Sequence, residues 1–143
     1  APPGPCSQSG SIEPMGILDK LRPQARWKHG DPAVRLEAIQ ALDDTAADVF
    51  TQVATDDQDG RVRRAAVVRL TDPDALAAVS RNDTEAGVRD AAVERLVTLA
   101  SSAGDGAARA IAALGALGRG RDLAALARSS APPAARHAAV ALI

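Results

Sequence analysis

GDPAVRLEAIQAL (residues 30–42) decides how this chain is read, because nearly the same words return as DGRVRRAAVVRL (59–70) and EAGVRDAAVERL (85–96). Aligning them on their arginine gives a column of Arg35, Arg63, Arg89, Arg109 and Arg136. Each follows a small apolar residue: Val34, Val62, Val88, Ala108 or Ala135. Three residues later stand Ala38, Ala66, Ala92, Ala112 and Ala139, and four later Ile39, Val67, Val93, Ala113 and Val140. Leu42, Leu70, Leu96, Ala116 and Ile143 follow at seven. Counted from the residue ahead of the arginine, these are positions i, i+4, i+5 and i+8, one face of a helix. The chain therefore repeats an amphipathic helix, and internal repetition governs the fold before any other signal.

Four residues ahead of the arginine stand Asp31, Asp59, Glu85 and Asp105; Pro132 breaks the pattern in the last copy. An acid there is expected to cap the N–H groups of the first helical turn. Pro32 suits the first helical position, where its missing donor costs nothing. Acid and arginine, four apart, can meet on the helix surface. The guanidinium keeps donors for a carbonyl or acid in the neighbouring repeat's loop. The column thus reads as a tie between stacked repeats; a ladder of arginines that binds a ligand is the competing reading.

A second, shorter pattern lies between these helices: Val49, Phe50 and Val53, then Leu76 and Val79, then Leu123 and Leu126. TAAD (45–48) resembles a capping box, and Asp72-Pro73 repeats the cap-plus-proline arrangement. Each unit reads as a hairpin of two helices. The column arginines are spaced by 28, 26, 20 and 27 residues, and the short step leaves no room for a second helix over 97–104. Either the third unit lacks one, or 107–117 is that second helix and Arg109 falls in the column by coincidence.

Composition sets the class. The 143 residues are 46% apolar with a net charge of -1, which places the chain among soluble globular domains. The apolar residues are mostly Ala, Val and Leu, with Trp27 and Phe50 the only aromatics, so closely packed helices fit better than a bulky central core. Fifteen Arg against two Lys, with abundant Ala, points to a GC-rich bacterial genome. Residues 1–30 hold four basic and two acidic side chains, leaving 13 basic and 16 acidic for the rest, so the repeats carry no basic excess for nucleic acid. Cys6 is the only cysteine, which excludes an internal disulfide and a thiolate metal site and fits a reducing compartment. No run approaches the ~20 apolar residues of a membrane span, and APPGPC lacks a signal-peptide core. A cytoplasmic location without a membrane partner is expected.

RWKHGDPAVRLEAIQAL followed by DGRVRRAAVVRLTDPDAL resembles HEAT-like helical repeats, and among them the amino-terminal HEAT-like segment of a bacterial family of unknown function. The likeness covers roughly residues 18–143. Its period is shorter than the usual ~40 residues, and the coiled-coil-rich helices of that family's later part are absent. The expected fold is all-α: a right-handed, armadillo-like α-solenoid of about four to five short HEAT-like hairpins. Residues 1–14 are expected to be a disordered tail or sequence foreign to the native chain, with Met15 as the native start. Residues 15–30 read as an N-terminal capping segment, and 31–143 as the repeat domain, cut short where Ile143 ends an apolar run without a stop signal. The resemblance implies a scaffold or protein-interaction role and carries no catalytic residues.

Other constellations are weaker. Asp57, Asp59 and Gly60 in ATDDQDG fit three positions of an EF-hand loop, but Thr55 and Ala66 stand where the closing ligands belong. His29 and His137 have no ligand-spaced companions, so no metal is expected. GRGRD (118–122) has no preceding strand, and Gly118 reads as the end of a helix finishing at Leu117. No nucleophile stands beside a base, so neither catalysis nor a cofactor is expected. Trp27 reads as a cover for the first repeat, or as a partner hot spot. RVRR (61–64) with Arg69 is the densest basic cluster and carries the alternative of a nucleic-acid-binding HEAT-like protein. Only Arg69 recurs, as Arg95, and stacking aromatics are lacking, so a protein partner is favoured. Its surface is expected along the second helices, at Asp48, Gln52, Ala75, Ala78, Arg81, Ala124 and Arg128.

Overall fold

The computed structural model describes residues 26–143. The expected tail over 1–14, Cys6, Met15 and most of the capping segment over 15–30 lie outside the described residues. Among the described residues the structure is all-helical, without strands. Its helices are α1 (Pro32–Ala41), α2 (Ala47–Asp56), α3 (Gly60–Val67), α4 (Pro73–Asn82), α5 (Ala86–Ala100), α6 (Asp105–Ala116), α7 (Gly120–Ala127) and α8 (Pro133–Val140). The chain divides into two compact units, one ending at Asp43 and one running from Asp44 to Ile143. The repeat domain expected over 31–143 spans that boundary, with α1 in the first unit.

Local chemistry sets the starts. Asp31 is the N-cap of α1, its Oδ1 accepting from the Ala33 N–H at 2.9 Å, with Pro32 in the first turn. Asp59 caps α3 through the Arg61 N–H at 2.8 Å, and Asp72 caps α4 through the Asp74 N–H at 3.1 Å. These bonds satisfy donors that have no partner inside the helix. The other two expected caps differ. Glu85 occupies the N-cap position of α5 without a side-chain cap bond; its Oε1 accepts from Arg63 Nη2 instead. Asp105 lies inside the first turn of α6, behind Gly104 as N-cap. The capping-box reading of TAAD also fails, for α2 starts one residue later, with Ala46 as its N-cap. At the end of α6, Gly118 has φ 70, with its N–H on the Gly115 carbonyl and the Arg119 N–H on that of Leu114. This is the left-handed C-terminal motif that glycine permits.

Within the second unit, helices pack on their next-but-one neighbours: α2, α4, α6 and α8 form one layer, and α3, α5 and α7 the other. Fully buried Phe50, Leu76, Leu96, Ile111, Leu114 and Leu123 fill the space between helices, while Ala54, Ala66, Ala92, Ala100, Ala110 and Ala139 bring backbones close. The arrangement decides the question left by the short spacing: α6 stacks on α4 and α8, so it belongs to the layer of the second helices. Arg109 and Arg136, on α6 and α8, therefore do not share a layer with Arg63 and Arg89. Leu123 and Leu126, expected on a second helix, lie on α7 in the layer of the first helices. The cause is visible in the burial of α6. Its core face is Ala107, Ala110, Ile111, Ala113 and Leu114; of the expected column only Ala113 is among them, and Ala108, Ala112 and Ala116 are exposed.

Candidate interaction surface

Three column arginines make one bond in common. Arg35 Nη1 donates to the His29 carbonyl at 2.8 Å, Arg63 Nη1 to that of Asp57 at 2.9 Å and Arg89 Nη1 to that of Asp83 at 2.7 Å. Each acceptor is the sixth residue behind the arginine, at the start of the loop that enters its helix. The same loop residue orders the turn: His29 Nδ1, Asp57 Oδ1 and Asp83 Oδ1 each accept the N–H two residues on.

Arg63 goes further. Its Nε and Nη2 donate to the two oxygens of Asp83 at 2.8 and 3.0 Å, and Nη2 also reaches Glu85 Oε1 at 3.3 Å. Both partners lie in the loop that opens α5. The Arg63 side chain is 9% exposed and that of Asp83 6%; Arg63 is the buried charged residue of this core. The hydrogen bonds that Arg63 donates to Asp83 raise its pKa above the ordinary value. Burial alone would raise that of Asp83, but the hydrogen bonds from Arg63 and the Glu85 N–H outweigh it and hold the carboxyl below its usual value. Gly60 makes room for the cluster, since a Cβ there would collide with the Glu85 carboxylate. Asp83 is the residue that the sequence reading passed over. Its signal was the acid two residues ahead of Glu85, matching Asp57 ahead of Asp59.

The acid expected to meet the arginine four residues on makes other contacts. Asp59 pairs with Arg61 at 2.8 Å, and that side-chain bond, with the Arg61 N–H, lowers its pKa from 3.8 to about 2. Arg109 extends across the layer surface to Asp74 at 2.7 Å and Asp72 at 3.2 Å, in an exposed pair of contacts. Arg136 makes no such tie, and its buried Nε has no hydrogen-bond partner.

The basic cluster is largely engaged within the fold. Arg61 is held by Asp59; Arg69 lies 4.7 Å over the Phe50 ring and pairs with Asp44 at 2.9 Å; Arg95 Nε donates to the Leu70 carbonyl at 2.8 Å. Arg64 stands exposed on α3. Trp27 is half-buried, with the Lys28 ammonium 4.9 Å from its ring centre. Asp57 and Asp59 of the calcium-like stretch serve as acceptors for backbone N–H groups. Among the described residues no group of three or more His, Cys, Asp or Glu side chains could hold a metal ion, and no helix is long and apolar enough to cross a membrane.

Of the expected partner surface, Asp48, Gln52 and Arg81 are exposed on α2 and α4, in one layer. Arg128, also exposed, follows α7 in the other layer, so the structure does not bring the four together. Three grooves follow the α2, α4, α6, α8 layer. One lies at Ala47, Thr51 and Thr71; the next runs between α4 and α6, over Ala77 and Ala112; the third, mainly apolar, lies between α6 and α8 at Ala107 and Ala135. Comparison of the chain with protein-family models, curated proteins and solved structures finds no match.

Proposed function

We propose that the chain is a non-catalytic interaction module of the cytoplasm, a right-handed HEAT-like solenoid that holds a protein partner along the α2, α4, α6, α8 layer. The observation that carries this reading is the succession of grooves on that layer, between α4 and α6 and between α6 and α8, with a smaller one where α2 meets the loop ahead of α4. Stacked helical pairs offer extended surfaces of this kind, and their alanine floors admit close approach of another backbone. The i−6 arginine bond, present at Arg35, Arg63 and Arg89, supports a repeated unit as the building block. Nucleic acid is the weaker reading, because Arg61 and Arg69 are already paired with Asp59 and Asp44. Photo-crosslinking residues placed at Gln52, Ala78 and Ala112, with Arg64 and Ala125 as controls on the other layer, test it. Crosslinks to one protein from the first three positions are expected; crosslinks from the controls alone, or to nucleic acid, would replace the reading.

A further inference from the structure

We propose that the α4/α6 groove takes a peptide segment that seats a single carboxylate on the guanidinium of Arg81 and sets a neutral or basic side chain beside Asp74. The proposal rests on the interaction reading above and names the chemistry of the partner. The groove has an alanine floor, Ala77, Ala112, Ala113 and Ala116, and charged ends. Asp74 lies in the first turn of α4, and Arg81 in its last. Arg109 is already committed to Asp72 and Asp74. Arg81 is exposed and engages no acceptor, and the methyl groups around it supply none. Its donors are met by water or by an arriving acid, and a charge-assisted bond to a carboxylate is the stronger of the two.

The rest of the groove selects among anions. Asp74 is seven residues from Arg81, about 10 Å along the helix, and its side chain is 80% exposed. Two carboxylates against one guanidinium leave that end net negative. A nucleic-acid strand, with a phosphate about every 3.4 Å of duplex axis, would set one against Asp74. A peptide carries a single carboxylate and then turns neutral or basic. Extended at about 3.3 Å per residue, it covers the distance in three residues. The groove thus fits a segment with an acid at Arg81 and, three residues away, a neutral or basic side chain, its small residues lying on the alanine floor.

The test is a nitrogen-15 chemical-shift titration at low salt with a blocked alanine-rich peptide carrying Glu and Lys three residues apart. Shifts are expected at Arg81, Ala112 and Ala116. Replacing the peptide's Glu by Gln, or Arg81→Glu in the protein, should weaken binding at least about tenfold. Arg64→Glu on the other layer should leave it unchanged, and Ala112→Leu, at an exposed position, should weaken it without altering charge. Equal binding of the Gln peptide, retention by Arg81→Glu, or no shift in the groove at millimolar peptide overturns the proposal. So do the same shifts produced by a single-stranded oligonucleotide, or by raising the protein concentration alone, which makes a second copy the occupant. Shifts on the same layer but outside this groove overturn the acid assignment and leave the interaction reading standing; loss of the crosslinks from that layer overturns the reading itself.

Discussion

Arg63 and Arg89 hold the same place on neighbouring helices of one layer and make the same bond to the loop behind them, yet the junctions ahead of them are built differently. From Arg63 the guanidinium continues to Asp83 and Glu85, in the loop that opens α5. Arg89 is tied to its own loop, on the Asp83 carbonyl. The next loop reads SSAGD and has Ala103 where Asp83 would correspond, and the helix it opens lies in the other layer. A charged tie between units needs an acid in the following loop and a following helix in the same layer. Where either is missing, Ala110, Ile111 and Leu114 carry the junction by apolar packing.

If packing alone holds the later junction, its largest response is to a cavity. Leu114→Ala should cost roughly 2 to 5 kcal/mol, as for a fully buried leucine, measured by denaturant unfolding; a cost under about 1 kcal/mol would mean that the junction is not held this way. At the earlier junction, Arg63→Ala should cost about 3 kcal/mol, because it strands the buried Asp83 carboxylate. The double variant Arg63→Met/Asp83→Leu should recover part of that loss, and a strictly additive double would show that the two charges do not act as a pair.

Acid should expose the same junction. Asp59 and Asp83 both have pKa values lowered by folding, Asp59 from 3.8 to about 2. Lowered carboxylate values contribute stability that is complete above the unfolded-state value and is lost as pH falls through the folded one. Unfolding free energy should therefore hold steady near neutrality and fall as pH drops from about 4 towards 2, with a shallower fall in Asp83→Asn; identical profiles would refute the assignment. Single-sided ties respond less. Arg89→Ala should cost about 1 kcal/mol for one hydrogen bond, and Arg109→Ala below that, since its pairs with Asp72 and Asp74 are exposed; an Arg109 loss equal to that of Arg63 would erase the distinction between layers. Gly60→Ala should have the smallest effect, within about 1 kcal/mol either way: the added methyl displaces only the end of the flexible Glu85 side chain and gains helix propensity. It should also abolish any effect of Glu85→Gln, which a double-variant comparison reads directly.

The amphipathic pattern was readable where repeats kept their length. Ala38 and Ile39, Ala66 and Val67, and Ala92 and Val93 are buried as the column requires, and so are Leu42, Leu70 and Leu96. It misled at Arg109 because alanine is ambiguous. In DGAARAIAALGA nearly every position is small enough to lie in the core or outside it, and two helical faces compete. Only Ile111 and Leu114 break the tie, and they select the face that turns Arg109 outward. Partner choice was hidden for another reason. Arg61, Arg69 and Arg81 look alike in sequence, and what separates them is an acid or a ring brought close by the fold: Asp59 beside Arg61, and Phe50 and Asp44 beside Arg69.

The carbonyl that receives Arg35, Arg63 or Arg89 always lies six residues behind it, while the arginines themselves are 28 and 26 residues apart. Length is thus rigid inside the loop-to-arginine segment and elastic outside it. One residue inserted between Asp57 and Arg63 would swing the guanidinium about 100° around the helix and unfasten both loops at once. One inserted after Asp43 would lengthen a connection and leave those six steps unchanged. The stretch between successive arginines can drift in length and each loop still be fastened to its helix, provided that those six steps are counted faithfully.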